Sequence, residues 1–293
     1  MKGIIVYEKG DAEYNRSFID YLISEGEKVG VELELKLYEK FTFGIKDNQC
    51  FVEYEGQPLE KADVVLYRCR KYLLSRQLEN MGYWVVNSSK VCEICNDKAL
   101  TYQYVSQLEI DMVPSMFVEN EFAESLLRNQ SSDMVVKAVS GHGGSQVCLV
   151  KPDDEETLQE ALRLMRGERV VIQPLMKGRG QDLRVYVVGG KIVAAVLRTA
   201  KSGFKSNFSL GGEVRLYELT KEETEVVNNI IGILSLDYAG IDFIIGEDGR
   251  LLFNEIEDVV GARMLYQCSD IDIVPIYLEY VKQHCNNITD NNK

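Results

Sequence analysis

Three acidic side chains near the end of the chain have the types and the spacing of a cation site. The segment YAGIDFIIGEDGRLLFNEIED predicts a hairpin that turns at Asp248-Gly249. Counting outward from a two-residue turn places Asp242 opposite Glu255, with Glu257 diagonally beyond them on the same face. Carboxylates so placed repel each other, and a hard divalent cation with oxygen ligands, magnesium or manganese, would remove the repulsion. A hairpin face that is open to solvent is the alternative.

A glycine-rich loop within MVVKAVSGHGGSQVCLV has the composition of a phosphate-binding loop. Its residues Gly141, His142, Gly143 and Gly144 lie between two β-branched strand segments, and the NH groups of such a loop can turn toward an anion. The loop lacks the GxxxxGK[ST] pattern of a P-loop. Lys137, in the middle of VVKAV, is unfavourable in a core unless its ammonium group reaches water or a counter-charge such as nucleotide phosphate. A structural turn and a solvated lysine are the alternatives.

The secondary-structure elements that surround these residues are predicted from the same sequence, beginning with the first third of the chain. It alternates strand-like and helix-like segments, which predicts a small, largely parallel α/β lobe. A surface hairpin around an Asp-Asn turn is predicted between Phe41 and Leu59. The predicted strands are Gly3–Glu8, Glu32–Glu39, Ala62–Arg68 and Trp84–Asn87, and the predicted helices are Asp11–Val29 and Lys71–Gly82.

The rest of the chain predicts a linker and two further lobes. A long helical pattern starts near Ser88, and Pro114 ends this linker. The middle lobe has strands at Met134–Val139, Gln146–Lys151 and Arg169–Gln173 and a helix at about Glu155–Met165. The last lobe has hairpins at Asp182–Arg198 and Tyr238–Glu257, a helix near Lys221–Leu234 between them, and a terminal helix that ends near His284.

The composition bounds the class of protein. The 293 residues include 33 basic and 46 acidic side chains, a net charge of −13, which disfavours a nonspecific nucleic-acid surface. No stretch approaches the roughly 20 apolar residues of a membrane helix, and the start of the chain does not read as a secretory signal, so we expect a cytoplasmic protein without membrane contacts. Seven scattered cysteines indicate free thiols, and we expect Cys92 and Cys95 of the CxxC motif to pack within a helix.

These motifs resemble the ATP-grasp superfamily, and most of all its RimK-type α-L-glutamate ligases. Five blocks between Tyr67 and Leu265 occur in the family's order: NDKALTYQ, VVKAVSGHGGSQV, VIQPLMKGRGQDLRVYVVGGKIVAAVLR, FKSNFSLGG and GIDFIIGEDGRLLFNEIE. The resemblance implies an α/β fold with α+β lobes, in which the central and C-terminal lobes clasp ATP. It implies an N-terminal pre-ATP-grasp domain over 1–90, an ATP-grasp domain over 91–285 with lobes over about 113–174 and 175–285, and a frayed tail over 286–293.

The resemblance also implies a nucleotide site. Lys98 and Lys137 would contact phosphate and the adenine side of ATP, the glycine loop would form a flap over the triphosphate, and Asp182 would help to hold the nucleotide. The segment at Lys205 would approach the γ-phosphate, unless it is a surface loop with incidental basic residues. The implied nucleotide contacts are Lys98, Lys137, Gly141, His142, Gly143, Gly144, the adenine hinge Gln173, Pro174 and Leu175, and Asp182, Lys205, Ser206 and Asn207.

Three basic residues are implied to act on the reacting groups. Arg184, which the hairpin count places on the same strand face as Asp182, would bind phosphate or a substrate carboxylate through a charged fork. Arg198 and Lys205 would neutralise charge during phosphoryl transfer. The metal block departs from the family, because Glu257 stands where many relatives have Asn, and the added negative charge changes the relative affinity expected for the metal ions.

The implied function is ATP- and magnesium-dependent ligation of a carboxylate to an amine through an acyl-phosphate, with two ions and with manganese as an alternative. The substrates would be small molecules or peptides. Two hypotheses stay beside it: a kinase that phosphorylates a stable acceptor, and an ATP-sensing or partner-binding protein. The run Arg68-Cys69-Arg70-Lys71 either recognises a carboxylated acceptor or forms a solvated turn. The oligomeric state, a homo-oligomer included, is left open.

Overall fold

Four sheets organise the part of the chain that the structure, a computed structural model, describes: residues 1–176, 180–199 and 213–291. The strands are β1 Lys2–Tyr7, β2 Glu32–Leu37, β3 Phe41–Lys46, β4 Gln49–Tyr54, β5 Gln57–Pro58, β6 Val64–Tyr67, β7 Val85–Val86, β8 Met116–Glu119, β9 Met134–Ala138, β10 Val147–Val150, β11 Arg169–Pro174, β12 Gln181–Val188, β13 Lys191–Thr199, β14 Glu213–Tyr217, β15 Tyr238–Ile245 and β16 Leu251–Glu257. The helices are α1 Lys9–Tyr14, α2 Arg16–Val29, α3 Tyr72–Asn80, α4 Ser89–Cys95, α5 Lys98–Ser106, α6 Asn120–Leu127, α7 Glu155–Leu164, α8 Lys221–Ile233, α9 Arg263–Cys268 and α10 Ile273–Asn291.

The first lobe is built on the parallel sheet β2-β1-β6-β7, which confirms the predicted parallel α/β arrangement. Its central strands β1 and β6 are almost wholly buried and apolar, as expected for a sheet covered on both faces. The single helix predicted from Asp11 to Val29 is wrong, because the chain breaks at Asn15 between α1 and α2. The Asn15 side-chain amide bonds the Asp11 carbonyl oxygen at 2.9 Å, and Asn15 has non-helical dihedral angles.

The predicted surface hairpin between Phe41 and Leu59 is confirmed. Strands β3 and β4 pair in antiparallel register around Asp47 and Asn48, whose φ angles of 51° and 61° suit a tight hairpin turn. The small sheet β3-β4-β5 packs against α3, where the amide of Gln77 donates to the Gly44 carbonyl oxygen at 2.6 Å. The hairpin therefore belongs to the outer face of the first lobe.

The middle lobe is the antiparallel sheet β10-β9-β11-β8 with α6 and α7 packed on it. The three predicted strands and the helix starting at Glu155 are confirmed, and the Asp154 side chain caps that helix by accepting from the Thr157 NH at 3.1 Å. The sequence did not predict β8 or α6, which complete this lobe between the linker and β9.

The last lobe is the antiparallel sheet β14-β13-β12-β15-β16. The two predicted hairpins form its centre, and the turn between β12 and β13 uses Gly189 and Gly190 with φ angles of 56° and 70°. Helix α8 covers one face and begins with a capping box of Thr220 and Glu223. The described residues of this lobe that the sequence predicts to bind metal ions or reacting groups lie on three adjacent strands, β13, β12 and β15, and on the edge strand β16.

Helix α10 joins the last lobe to the first. It packs against α2, and its buried residues Tyr277, Leu278 and Val281 share one hydrophobic core with β1, β6 and β12. The predicted end of this helix near His284 is too early, since the helix continues to Asn291. No helix among the described residues combines the length and the apolar character that a bilayer crossing requires.

The linker predicted as one long helix consists of two short helices. The helix α4 ends at Cys95, and Asp97 begins α5 by accepting from the Leu100 NH at 2.9 Å. The Lys98 NH donates to the Val139 carbonyl oxygen at 3.1 Å, so a contact with the middle lobe stabilises the interruption between α4 and α5. Cys92 and Cys95 are buried in α4, which confirms that the CxxC motif packs within a helix.

Candidate active site

The pairing of Asp242 with Glu255 is confirmed, although two deviations from the predicted hairpin produce it. The hairpin loop runs over 246–250 rather than two residues, since Ile245 pairs with Leu251. A bulge at Asn254 then shifts the register by one residue, so that Asp242 faces Glu255 after all. The bulge also directs Asn254 toward the middle lobe, where its side-chain oxygen accepts from Lys137 Nζ at 3.0 Å.

Arginine side chains lie among the carboxylates. Arg184 on β12 donates from Nε and Nη2 to the two oxygens of Asp242, both at 2.7 Å, and its Nη1 lies 2.6 Å from Glu257 Oε2. Arg198 on β13 donates to Asp242 Oδ2 at 2.9 Å and forms an ion pair with Asp182. Burial alone would raise the pKa of Asp242, but Arg184 and Arg198 hold it below its usual range.

These arginines correct the reasoning from spacing. The predicted repulsion among the three carboxylates does not by itself require a metal ion, because Arg184 and Arg198 pair with Asp242, Arg184 pairs with Glu257, and Lys98 pairs with Glu255. Within the described residues, no group of three or more His, Cys, Asp or Glu side chains is arranged as a metal site by itself. Asp242, Glu255 and Glu257 nevertheless line one cavity, and the assignment of metal ions to them stays a prediction.

Two lysines approach the carboxylates from the other lobes. Lys98, in the first turn of α5, donates to the Gly141 carbonyl oxygen and lies 3.6 Å from Glu255 Oε2. Lys137 on β9 contacts Asn254, and desolvation lowers its pKa to about 8. Lys98 therefore connects the glycine loop to β16. Because desolvation disfavours the charged form of Lys137, an anion that binds beside it would stabilise its ammonium group.

Replacing Lys137 by Met is expected to stabilise the fold and to weaken ATP binding. Since the folded-state pKa of about 8 lies below the usual Lys value, the folded protein carries an unfavourable buried charge at neutral pH. That penalty disappears as pH rises from 8 toward about 10.4, so the unfolding free energy of the wild type rises over this range. Urea unfolding at pH 7 to 10 should show the variant more stable by about 2 kcal/mol at pH 7, with a flatter profile.

The exposed Lys151, which follows the neighbouring strand β10, provides the control, because Lys151→Met removes the same charge without a buried site. Titration with ATP should show weaker binding for Lys137→Met and no change for Lys151→Met. If Lys137→Met retained both the wild-type stability profile and the wild-type affinity, the lysine would be an ordinary solvated side chain.

The nucleotide-side residues line a cavity of about 660 Å³ between the middle and last lobes. Gln173 is buried, and its amide donates to Tyr102 Oη at 2.7 Å and to Ser115 Oγ at 2.8 Å, so its side chain supports the linker. Asp182 Oδ1 is buried without a hydrogen-bond partner among the described residues, which marks an acceptor site on the cavity wall. The predicted residues brought together here are Lys98, Lys137, Gly141, His142, Gly143, Gly144, Gln173, Pro174, Leu175, Asp182, Arg198, Asp242 and Glu255.

A second cavity of about 950 Å³ lies between the first and last lobes. It adjoins the smaller cavity, since both are lined by the glycine loop, Arg198, Asp242 and Glu255. The first lobe contributes Arg68 and Arg70 to its wall, and Arg68 is only 4% exposed. The solvated-turn alternative is therefore wrong for Arg68. The arrangement has the form of two substrate compartments that meet at one charged centre.

Three predicted contacts, Lys205, Ser206 and Asn207, lie outside the described residues. The sequence reasoning also missed Asn254, because a bulge in β16 cannot be read from an alternating pattern. It missed Asp258 as well, a buried carboxylate that accepts from the Asn96 amide at 2.9 Å and ties α4 to the end of β16. The sequence offered one signal for both residues, because Asn254 and Asp258 are polar and directly flank the segment from Glu255 to Glu257.

Three lobes around a lysine-lined, nucleotide-sized cavity with a glycine loop define an ATP-grasp ligase. The RimK-like ATP-grasp domain matches residues 95–281, so the chain belongs to the RimK-like ATP-grasp family. The uncharacterized protein MG011 of Mycoplasma genitalium is 30% identical over 283 residues, covering 96% of this chain and 92% of that protein. A probable alpha-L-glutamate ligase of Vibrio vulnificus is 27% identical over 250 residues, covering 82% and 83% of the two chains.

The fold also matches a solved ligase. D-alanyl-alanine synthetase A from Vibrio cholerae superposes with a TM-score of 0.71 at 16% identity, covering 98% of each chain. The ATP-grasp architecture predicted from the motifs is confirmed by this likeness. The protein is accordingly an ATP-dependent, ADP-forming carboxylate–amine ligase.

Proposed function

We propose that this ligase binds ATP in the 660 Å³ cavity and joins a carboxylate to the amine of L-glutamate in the 950 Å³ cavity. The observation that carries the proposal is the meeting of the two cavities at Arg198, Asp242, Glu255 and the glycine loop. A phosphoryl group leaving ATP at that place enters the compartment of the other substrates. Glutamate is proposed because several relatives are named as probable alpha-L-glutamate ligases.

The carboxylate set at this place fits magnesium. Asp242, Glu255 and Glu257 offer only oxygen ligands, and the Glu255 side chain is 37% exposed with Lys98 as its ion-pair partner at 3.6 Å. Magnesium usually combines one or two carboxylates with phosphate oxygens and water, so these residues would hold two ions together with the triphosphate. The ions would neutralise charge on the transferred phosphoryl group.

The residues of the chain divide the remaining work. Lys98 and Lys137 would bind phosphate oxygens, and the loop over 141–144 would cover them and exclude water from the acyl-phosphate. Arg184 and Arg198, held in position by Asp242, would stabilise the charge on the transferred phosphoryl group and on the carbonyl oxygen. Lys205, Ser206 and Asn207 stay proposed contacts of the γ-phosphate.

The proposed reaction has two steps. A carboxylate oxygen of the donor attacks the γ-phosphorus of ATP, the bond to the β-phosphate oxygen breaks, and ADP leaves. The amine nitrogen then attacks the carbonyl carbon of the acyl-phosphate, inorganic phosphate departs with the bonding electrons, and the nitrogen loses a proton. The products are one amide, ADP and phosphate.

Phosphate release from Mg-ATP tests the proposal. The protein is incubated with L-glutamate and pools of carboxylates and short acidic peptides, and every positive pool is analysed by mass spectrometry. We expect phosphate release that depends on both substrates, with a product one water lighter than their sum. A stable phosphorylated product would establish a kinase instead, and ATP binding without turnover in any pool would favour a nucleotide-responsive binding protein.

A further inference from the structure

The larger cavity has a buried arginine, Arg68, that forms no ion pair with a carboxylate among the described residues. Arg68 donates from Nε to Tyr7 Oη at 3.3 Å and from Nη2 to the Val260 carbonyl oxygen at 2.6 Å, and both acceptors are neutral. Its guanidinium carbon lies 5.1 Å from the centre of the Tyr238 ring. Among the described residues, no carboxylate lies within ion-pairing distance of Arg68. Such a burial of unpaired charge is unfavourable until an anion arrives.

The other arginines of this cavity differ from Arg68. Arg184 and Arg198 each contact Asp242, and Arg70 lies 2.8 Å from Asp11. Arg263 bonds the neutral oxygens of Tyr14 and Asn15, but it is exposed and solvated. Among the arginines that the structure describes at this cavity, Arg68 therefore combines burial, a place on the wall and hydrogen bonds to neutral acceptors.

The topology of the first lobe also places Arg68 where parallel sheets bind ligands. In the order β2-β1-β6-β7, the chain goes from β1 to β2 on one side and later places β6 on the other side. The crevice at the carboxyl ends of two such strands is the usual ligand site of an open parallel sheet. Tyr7 ends β1 and Arg68 follows the end of β6, so the two side chains flank this crevice.

Arg68 contacts the segment that follows β16. Its Nη2 bonds Val260, and an added Cβ at Gly240 would lie 2.8 Å from Val260 Cγ2 and 3.3 Å from Arg184 Cδ. Arg68 and Arg184 are thus two different positions of one cavity wall, and both lie near Val260. Two cationic positions in one cavity suit two different anions, one that reacts and one that does not.

Resting on the proposed function, we propose that Arg68 binds a carboxylate that is not consumed in the reaction, and that this site selects amino-acid substrates over neutral ones. The carboxylate belongs either to the amine substrate or to a donor with a second acidic group. Arg70, at the same wall and partly exposed, lies beside this carboxylate as a second cation. A charged fork on a carboxylate gives both affinity and orientation.

Calorimetry with the intact protein, magnesium and ADP tests this site without requiring turnover. The probes are L-glutamate, its α-amide isoglutamine and its γ-amide L-glutamine. We expect one amide to bind about 10- to 100-fold more weakly than glutamate, because it lacks the charge that Arg68 recognises. In Arg68→Gln, glutamate should bind about 10- to 100-fold more weakly than it binds to the wild type. The variant should then bind glutamate and that amide with equal affinity.

The control is Arg76→Gln, an arginine of the same lobe that pairs with Glu93 at 2.6 Å and does not line the cavity. Circular dichroism establishes that each variant is folded, and if Arg68→Gln does not fold, the amide series on the wild type decides. The proposal is overturned if glutamate does not bind, if both amides bind as tightly as glutamate, or if a folded Arg68→Gln retains the wild-type preference.

The two sources of the carboxylate are separated by the condensation product. With ¹⁵N-labelled glutamate, fragmentation of the product shows whether glutamate supplied the nitrogen or the carbonyl group of the new amide. Glutamate nitrogen in the new amide assigns the site to the amine substrate, as the proposed function requires, whereas a glutamate carbonyl group would assign it to the donor and overturn the proposed role of glutamate as the amine. Absence of any ATP-dependent product would count against the proposed function, while the binding series would still decide on Arg68.

Discussion

Glu255→Gln is expected to lower kcat for phosphate release by about 10²–10³-fold or more while leaving the fold intact. The substitution removes the charge and one of the two carboxylate oxygens of a proposed metal ligand at the place where the two cavities meet, with almost no change in volume. Its side chain is 37% exposed and its ion-pair partner, Lys98, lies at 3.6 Å, so the lost interaction should change the unfolding free energy by less than about 1 kcal/mol. Steady-state phosphate release and urea unfolding measure the two effects separately.

The matched control is Glu247→Gln, because Glu247 has the same chemistry, lies in the loop of the same hairpin and is exposed. It should retain wild-type turnover and stability. The magnesium dependence adds a second readout, since loss of a ligand should move the half-saturating magnesium concentration upward in any residual activity. Near-normal turnover by a folded Glu255→Gln protein at low magnesium would contradict the metal assignment.

Asp242→Asn is expected to lower the unfolding free energy of the metal-free protein by about 3–5 kcal/mol. Asp242 is 2% exposed and accepts three hydrogen bonds, two from Arg184 and one from Arg198. The substitution removes the negative charge that Arg184 and Arg198 share. It also places the NH₂ group of the asparagine against N–H groups of these arginines, where a carboxylate oxygen accepted before. Urea unfolding at pH 7, compared between wild type and variant, measures the loss.

The pH dependence of stability provides an independent readout for Asp242. Its pKa is held below the usual value in the folded protein, so the stabilisation is fully present above about pH 4 and is lost as pH falls through the folded-state pKa. Asp242→Asn should remove this part of the acid sensitivity. The control is Asp248→Asn, which breaks an exposed ion pair with Arg250 and should change stability by less than about 1 kcal/mol. Equal stabilities for both variants would show that the buried network is not a major source of stability.

Local patterns in the sequence predicted most of the elements correctly. The Asp47-Asn48 turn and the glycine pair at 189–190 adopt positive φ angles, which favours the predicted hairpins whatever surrounds them. The burial of β1 and β6 follows from their continuous apolar runs. The family motifs then connected these elements into the ATP-grasp arrangement, because their order along the chain is preserved.

Errors occurred where a distant contact decides a local structure. The linker helix breaks before Lys98 because a cap and a bond to Val139 outweigh helix propensity there. The hairpin loop is longer than predicted, and the bulge at Asn254 shifts the register back so that Asp242 pairs with Glu255. The choice of this register depends on the packing of the whole hairpin. Helix α10 continues past His284 to Asn291, and its described apolar residues pack in one core with α2 from the other end of the chain.

The sequence by itself determined most of the strands, the hairpins, the family and the carboxylates that face each other, since these depend on neighbours along the chain or on the family motifs. Only the tertiary structure decided what neutralises those carboxylates and where Arg68 lies. Arg184 reaches Asp242 across one strand pairing and Arg198 reaches it across two. Arg68 meets Val260, which lies 192 residues away in the chain. Charge balance in a buried site depends on distances of a few ångströms, and residues far apart in sequence acquire such distances only when the lobes pack together.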